Sequence, residues 1–353
     1  MRVVPPIEIT DARFTSSTVP EEVAATYAGG TTYAQGDLVG LVSSYGEPQT
    51  VWRSLQDGNT GNTLEEGAFW AEAGIVYPVY DSGSSAELGE IVTDLANHDL
   101  YESLIAANTG NALSDTTSWK FIGKTNRWRL TNYSRNNKTT VTGNFTVTWT
   151  PGKRINTVGL VGITGNSYSL SVTSVAGGGT VYTSSGSLNT RNTRTWYEYF
   201  FGEFGTEPAL VFFDIPPYSD CIVTLTISAT SGNAELGALV LGTFVSLGEI
   251  EISPRSDVLN FSTVERDEDG NAILEPRRNI PKINATVWCG RNDVDRIKQT
   301  RADLNAKPAL WYGLSQVSDG YFEAVSMLGF YRNFVIDMAT PLQAVLTIEL
   351  EEV

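Results

Sequence analysis

The first third of the chain carries one sequence pattern twice. Residues 52–70 and 101–119 each begin with an aromatic residue, continue into an Asn-Thr-Gly-Asn stretch and close on a tryptophan, and every element returns after 49 positions. Farther upstream the offset is 53, because the first copy holds four additional residues around Tyr45-Gly46-Glu47-Pro48. Ordered matches of this kind predict a tandem duplication of a small module, which favours a binding or assembly protein.

The duplication divides the N-terminal part into a lead-in at 1–25, a first module at 26–78 and a second module at 79–124. In the lead-in, Pro5, Pro6 and Pro20 are expected to interrupt any regular element. Each module is below the size that usually sustains a hydrophobic core, so we expect the two to pack on each other or on the next domain. Short strands are predicted at 37–43, 50–55, 90–95 and 100–105.

Residues 125–247 have the pattern of a β-sandwich. Residues 139–150 alternate between apolar and polar side chains, which indicates a half-buried strand. Strands at short spacing, separated by Gly-, Asn- and Pro-rich turns and without long helical patterns, favour an antiparallel, jelly-roll-like sandwich. Further strands are predicted at 157–162, 167–174, 180–184, 209–215, 221–228 and 236–244.

Residues 248–353 predict a small α+β domain with one helix near 293–306. Val294, Ile297 and Leu304 share one face of this helix, and Asn292 or Asp293 can cap its first turn. The whole chain is therefore expected to be mainly β. Strands of this domain are predicted at 309–313, 321–331 and 342–349.

The net charge of −16 is concentrated in the N-terminal part. Residues 1–124 contain 17 acidic and 5 basic residues, whereas the remainder contains 23 and 19. An acidic surface repels phosphate backbones, so nucleic-acid binding is disfavoured. The start of the chain lacks the apolar core of a signal peptide, and the longest apolar stretch, 238–247, is far short of the roughly 20 residues that a bilayer requires. We expect synthesis in the cytoplasm, no membrane insertion, and free, buried thiols at Cys221 and Cys289.

Residue types that support catalysis or metal binding form no recognisable set. His98 is the only histidine; it lies in a polar turn and has no equivalent in the first copy. Asp267, Asp269 and Asn271 resemble the opening of a calcium loop, but the glycine follows too soon and the later glutamate is missing, so a hairpin turn is favoured. Neither a phosphate-binding loop nor a paired-cysteine zinc motif is present. The sequence predicts no catalytic residue, no metal and no cofactor, and an enzyme is disfavoured.

Aromatic side chains of the modules are the candidate binding residues. Trp52 and Tyr101 occupy one position of the repeat, whereas Tyr33 and Tyr45 have no aromatic counterpart in the second copy, where Ala86 replaces Tyr33. Exposed flat aromatics bind sugars because the apolar face of a pyranose stacks on them. On small β modules they also commonly form oligomer contacts, and the sequence leaves both interpretations open.

The other repeated residues favour structural roles. In the Asn-Thr-Gly-Asn stretches, Asn and Gly suit the positive φ of a tight turn, so turn formation is favoured over ligand contact. Trp70 and Trp119 are the largest apolar groups of two modules that are short of core, so we expect both to be buried.

The first copy contains Tyr33-Ala34-Gln35-Gly36-Asp37-Leu38-Val39, Val51-Trp52-Arg53-Ser54-Leu55 and Trp70, and the second keeps Gly89, Val92, Tyr101, Ser103, Leu104 and Trp119. Each copy thereby resembles the small carbohydrate-binding modules appended to chitinases and cellulases. The resemblance implies a three-stranded β fold and a sugar-binding surface. Where chitin-binding members carry a stacking aromatic, this chain has Asn62 and Asn111. The candidate carbohydrate-binding residues are Tyr33, Tyr45, Trp52, Asn62, Tyr101 and Asn111.

Further motifs follow in order: Thr125-Asn126-Arg127-Trp128, Trp196-Tyr197-Glu198-Tyr199-Phe200-Phe201, Asp214-Ile215-Pro216-Pro217-Tyr218, Leu310-Trp311-Tyr312-Gly313 and Leu328-Gly329-Phe330-Tyr331-Arg332-Asn333-Phe334. The ordered set, over roughly residues 26–353, is similar to tailed-bacteriophage virion proteins often described as carbohydrate-binding. The resemblance implies a tail, tail-tip, baseplate or collar component. Such a component is a homo-oligomer with other virion tail proteins as partners, located in the virion after synthesis in the host cytoplasm.

Three functional hypotheses follow. In the first, a β-rich base assembles into the virion and the modules project to engage host-surface polysaccharide, with weak sites gaining avidity from repetition. In the second, the modules are purely architectural, and Trp52 and Tyr101 are buried against other chains. The third, a polysaccharide-degrading enzyme with accessory modules, is disfavoured by the missing signal sequence and catalytic pair.

Overall fold

The computed structural model describes residues 1–41, 44–190, 205–206, 209–251, 254–266, 269–314, 323–338 and 341–353. Within them the chain is mainly β, with a single α-helix in the C-terminal part, which confirms the predicted fold class. The aromatic motif at 196–201 lies outside the described residues, as do parts of the predicted strands at 37–43 and 321–331.

The lead-in contains regular structure, contrary to the expectation drawn from its prolines. It holds a 3₁₀ turn at Asp11–Arg13 and three strands, which are β1 (Arg2–Val4), β2 (Phe14–Ser17) and β3 (Ala25–Thr26). The prolines separate these strands instead of preventing them.

The two modules have the same sheet. The first consists of β4 (Leu38–Gly40), β5 (Gln49–Ser54) and β6 (Trp70–Val76), with β3 parallel to β4 at its edge. The second consists of β7 (Ile91–Asp94), β8 (Asp99–Ser103) and β9 (Trp119–Lys124). In both, the pairing of the last two strands is interrupted by a bulge at a glycine of positive φ, +132° at Gly74 and +151° at Gly123.

Two sheets enclose the core of the next unit. Its strands are β10 (Thr139–Trp149), β11 (Thr157–Val161), β12 (Ser167–Thr173), β13 (Thr180–Ser187), β14 (Asn189–Thr190), β15 (Gly205–Thr206), β16 (Ala209–Phe212), β17 (Ile222–Leu236) and β18 (Ala238–Gly242). The order β13-β12-β17-β10-β2 forms a five-stranded sheet and β16-β11-β18 a three-stranded one. Alternating side chains of β10, such as Phe145, Val147 and Trp149, are fully buried between them. The predicted sandwich is confirmed.

The C-terminal unit consists of one large sheet, a separate two-stranded hairpin and a helix. Its strands are β19 (Val245–Ser246), β20 (Glu249–Ile250), β21 (Arg255–Asn260), β22 (Thr263–Arg266), β23 (Ala272–Glu275), β24 (Asn279–Gly290), β25 (Ala309–Tyr312), β26 (Ser326–Asp337) and β27 (Gln343–Glu352), and its helix is α1 (Val294–Asp303). Ile297 of α1 is fully buried, as its predicted face requires, and Asp293 stands at the N-cap without a side-chain cap bond. Strands β22 and β23 pair on either side of the turn predicted at 267–271, of which residues 267 and 268 lie outside the described residues.

Short 3₁₀ turns at Arg129–Thr131, Arg291–Asp293 and Glu323–Val325 complete the secondary structure. Cys221 and Cys289 are free and buried, as predicted. In the described ranges, no helix has the length and apolar character needed to span a membrane.

The lead-in contributes strands to the C-terminal sheet, the sandwich and the first module. β1 pairs with β19 and β25 of the C-terminal sheet, and β2 extends the sandwich beside β10. Val3 is fully buried in the C-terminal core and Phe14 lies in the sandwich core. The first 26 residues therefore tie the C-terminal unit, the sandwich and the first module together.

A single carboxylate holds the second module against the sandwich. Glu21, with a side chain 8% exposed, accepts hydrogen bonds from His98 Nδ1 (2.8 Å), Thr125 Oγ1 (2.8 Å) and Trp128 Nε1 (3.2 Å). The His98 ring stacks on Trp128 with centroids 3.9 Å apart, and its Nε2 lies 2.8 Å from Asp11 Oδ1. His98 is thus part of an inter-domain contact, and its turn is the one that joins β7 to β8.

Replacing Glu21 by alanine is predicted to lower the free energy of unfolding by about 1–3 kcal/mol, because buried donors lose their acceptor. Asp11→Ala is the control: that carboxylate is 70% exposed on the other side of the same imidazole, and its loss is predicted to cost less than about 1 kcal/mol. Urea denaturation measures both. Equal effects of the two substitutions would contradict the role assigned to Glu21.

Candidate ligand-binding surface of the tandem modules

The Asn-Thr-Gly-Asn stretches are structural in both modules. Asn59 Nδ2 donates to Ser54 Oγ (3.1 Å) and to the Phe69 carbonyl (3.0 Å), and its Oδ1 accepts a bond from Asn62 Nδ2 (2.8 Å). Asn108 repeats all three bonds in the second module, at 3.0, 3.0 and 2.8 Å. The glycines between them have φ of +74° and +75°, as the turn interpretation requires.

Asn62 and Asn111 also fix the aromatic core through their backbone. The Asn62 carbonyl accepts bonds from the Tyr27 hydroxyl (2.7 Å) and from Trp70 Nε1 (3.1 Å). The Asn111 carbonyl accepts the same two bonds from Tyr80 (2.7 Å) and Trp119 (3.0 Å). Both tryptophans are buried, as predicted. The side-chain and backbone groups of the two asparagines are therefore committed to the turn and to the core.

Tyr33 belongs to the core of the first module. It is 9% exposed and packs edge-on against Trp70 with ring centroids 5.3 Å apart. Its hydroxyl accepts a bond from the Ala28 amide (2.8 Å) and donates to the Ala28 carbonyl (3.2 Å). A ring enclosed in this way presents no face to a sugar, so the prediction of Tyr33 as a stacking residue is not supported by its position.

Tyr45 takes the place of Tyr33 in the second module. Ala86 stands at the equivalent position there, and Tyr45 packs against the core of Ala86, Val92 and Trp119. The Tyr45 hydroxyl accepts a bond from the Asp81 amide (2.8 Å) and donates to the Asp81 carbonyl (3.2 Å). Asp81 is the repeat counterpart of Ala28, so the two tyrosines make the same pair of bonds. The four-residue insertion of the first module therefore completes the core of the second.

The backbone beside Tyr45 strengthens this contact. The Gly46 carbonyl accepts a bond from the Ile91 amide (3.2 Å), and a Cβ built on Gly46 would overlap the Glu90 side chain. Burial raises the pKa of Tyr45, as expected for a hydroxyl inside an interface. Tyr45 is thus an inter-module contact and not a free stacking surface.

Trp52 and Tyr101 are the only candidates of the predicted six that keep partly open side chains outside these core and turn roles. Trp52 is half-buried at the edge of the first core and pairs across the sheet with Glu72. Tyr101 is half-buried at the edge of the second core, where burial raises its pKa. The repeat thus places one aromatic face on each module.

Phe121 enlarges the face of the second module and was missed in the sequence. It pairs with Tyr101 across β8 and β9, with centroids 5.8 Å apart in an edge-to-face arrangement, and it is 57% exposed. In β9, period-two alternation from Trp119 places Phe121 on the face of the sheet that carries Tyr101. That alternation was the available signal, but no strand was assigned there. We call Trp52 and the Tyr101–Phe121 pair the aromatic faces.

No protein-family model matches the chain, and a comparison with curated proteins finds no match. Across the described ranges, no group of three or more His, Cys, Asp or Glu residues is arranged to hold a metal ion. Functional inference therefore starts from the geometry of the modules.

Removing Tyr45 is predicted to destabilise the second module, and a compensating tyrosine is predicted to restore it. Tyr45→Ala should lower the free energy of unfolding by about 1–3 kcal/mol, through lost packing and a lost hydrogen bond. Adding Ala86→Tyr should recover much of this loss, since it supplies the tyrosine that Tyr33 supplies in the first module. Ala86→Tyr alone should destabilise by overpacking.

A double-mutant cycle in urea measures the coupling between the two sites. Glu47→Ala, at an exposed position of the same insertion, is the control and should be close to neutral. Additive effects of Tyr45→Ala and Ala86→Tyr would contradict the shared position.

Proposed function

We propose that the chain is a structural component of a phage virion tail that displays the tandem modules for attachment to host-surface glycans. The observation that carries the proposal is the pair of aromatic faces, one on each copy of a duplicated module. Aromatic side chains that are open on one side bind sugars by stacking, and repetition within a chain and across an assembly multiplies weak affinity. The strongly acidic modules would resist non-specific association.

The C-terminal unit provides support for assembly with other chains. The β21 segment and the β22–β23 hairpin expose Val258 (48%), Phe261 (53%), Val264 (62%) and Leu274 (69%). Exposed apolar groups collected on consecutive elements are typical of protein contacts. In the proposal, this unit contacts further copies or other tail proteins, while the modules remain open.

The purely architectural alternative has its own support. Tyr33, Tyr45, Asn62 and Asn111 serve the core, the inter-module contact and the turns. If Trp52 and the Tyr101–Phe121 pair were covered by neighbouring chains in the particle, the modules would be spacers. The two hypotheses differ in whether the aromatic faces contact sugar or protein.

Retention on polysaccharide tests the proposal. The full chain is predicted to bind bacterial cell-wall or capsular polysaccharide with a dissociation constant of about 1 mM per site. Phe121→Ala should weaken binding without loss of stability, because Phe121 is largely exposed. Phe69→Ala is the matched control, since Phe69 is 39% exposed and precedes β6.

The measurement is affinity electrophoresis in gels containing the polysaccharide. Binding by wild type and Phe69→Ala but not by Phe121→Ala would support the proposal. No retardation of the wild-type chain by any tested host polysaccharide, with retention of intact particles, would favour the architectural alternative.

A further inference from the structure

A cleft lies where the two modules, the lead-in and the sandwich meet. Its volume is 330 Å³, at the lower end of the range of small-molecule pockets, about 300–1,000 Å³. The lining includes the end of β6 with the following linker, the segment around Arg129, strand β10, and Asn233 of β17. Pro20, Thr93 and Leu100 contribute from the lead-in and the second module. The lead-in, both modules and the sandwich therefore build one concave surface.

Arg129 and Glu72 line this cleft without pairing, whereas Glu21, also in the lining, is bonded to His98, Thr125 and Trp128. Arg129 uses Nε to donate to the Lys124 carbonyl (3.4 Å), but neither of its two terminal nitrogens has an acceptor among the described residues. The Glu72 carboxylate, also in the lining, has no donor in the described part of the chain. Oppositely charged groups attract each other, but no ion pair joins Arg129 and Glu72. Both charges are therefore available to a third group.

The Arg129 guanidinium is poorly solvated by water. It is half-buried, and burial lowers its pKa, with the neighbouring Tyr77 acting in the opposite direction. A planar guanidinium carries five donors, and here one is used by the protein. A ligand that accepts the remaining bonds would replace solvent that the cleft already restricts.

Neutral polar groups and apolar surface complete the lining. The Asn233 side-chain oxygen accepts a bond from Thr142 Oγ1 (3.3 Å), and its amide nitrogen has no partner in the described residues. Tyr77 and Ile75 add apolar surface, with Ile75 49% exposed. Donors, an acceptor and apolar surface together match a molecule with hydroxyls at its rim and C–H groups on its faces.

The charge balance favours an uncharged ligand. The unpaired groups are one cation and one anion, and the surrounding modules are strongly acidic, which repels anions. The cleft is also continuous with the first aromatic face, since Glu72 lies in its lining and pairs with Trp52 across β5 and β6. A sugar chain stacked on Trp52 would therefore reach Glu72 and the cleft.

We propose that this cleft is a binding subsite for one residue of a neutral glycan, with Arg129 donating to its oxygens and Glu72 accepting from its hydroxyls. This proposal rests on the proposed glycan-binding function. It places the strongest glycan-binding site of the chain at the junction of the modules. The apolar faces of the sugar lie against Tyr77 and Ile75.

Ligand-observed saturation-transfer NMR and calorimetry on the full chain test the subsite. The probes are cellotriose, maltotriose and tri-N-acetylchitotriose, with trigalacturonic acid as a charged comparator. At least one neutral trisaccharide should bind, and more tightly than the comparator. Arg129→Gln and Glu72→Gln should each weaken that binding about tenfold, as the loss of a hydrogen bond to a charged group predicts.

Arg53→Gln is the matched control, because Arg53 is also a half-buried arginine with a lowered pKa caused by burial but lies outside the cleft. It should leave affinity unchanged. Glu72→Gln keeps the side-chain size, so it reports on the cleft even if Arg129→Gln were to unfold the chain.

The outcomes separate the subsite from the function. If Phe121→Ala lost binding while Arg129→Gln and Glu72→Gln kept it, the subsite would be overturned and glycan binding by the aromatic faces would stand. The same loss with Arg53→Gln would also overturn it. Binding of none of the trisaccharides at 10 mM, about ten times the expected dissociation constant, would overturn the subsite together with the neutral-glycan specificity.

Discussion

The modules are too small to bury a large core, and this constraint shapes the structure around them. The first module closes its core with Tyr33, whereas the second has Ala86 there and receives Tyr45 from its neighbour. The corresponding turn of the second module presents His98 to Glu21 and Trp128 at the sandwich. In each module, the turn between its first two antiparallel strands thus stabilises the next unit along the chain. The second module thus obtains across its contact with the first the burial that it does not achieve alone.

This interlocking has a functional consequence. Modules on a flexible linker sample many separations, whereas modules joined through Tyr45 and Glu21 hold the aromatic faces at a fixed spacing. A polymer that contacts both faces then meets a preorganised surface, which reduces the entropy lost on binding. The same contacts create the cleft at Arg129, since its walls come from units that the interlocking brings together.

Local patterns in the sequence were sufficient for most of the fold. Period-two alternation placed β10, and the helical pattern placed α1 to within a few residues. Turn chemistry correctly explained Asn62 and Asn111. The resemblance to sugar-binding modules made both residues candidates for carbohydrate binding, whereas the structure assigns them to the core and the turn. Local sequence patterns could not identify the partner of Tyr45, because Tyr45 and Asp81 lie 36 positions apart in different copies of the module. Strands β1 and β2 of the lead-in were missed because their partners, β25 and β10, lie more than 100 residues farther along the chain.

Exchange of the Asp81 amide proton tests most directly whether the first module completes the second. This amide donates to the Tyr45 hydroxyl, as the Ala28 amide donates to the Tyr33 hydroxyl. In Tyr45→Phe, which removes only the hydroxyl, hydrogen exchange at Asp81 should accelerate by up to about tenfold while exchange at Ala28 stays unchanged. Unchanged protection of Asp81 in this variant would contradict the interlocked arrangement.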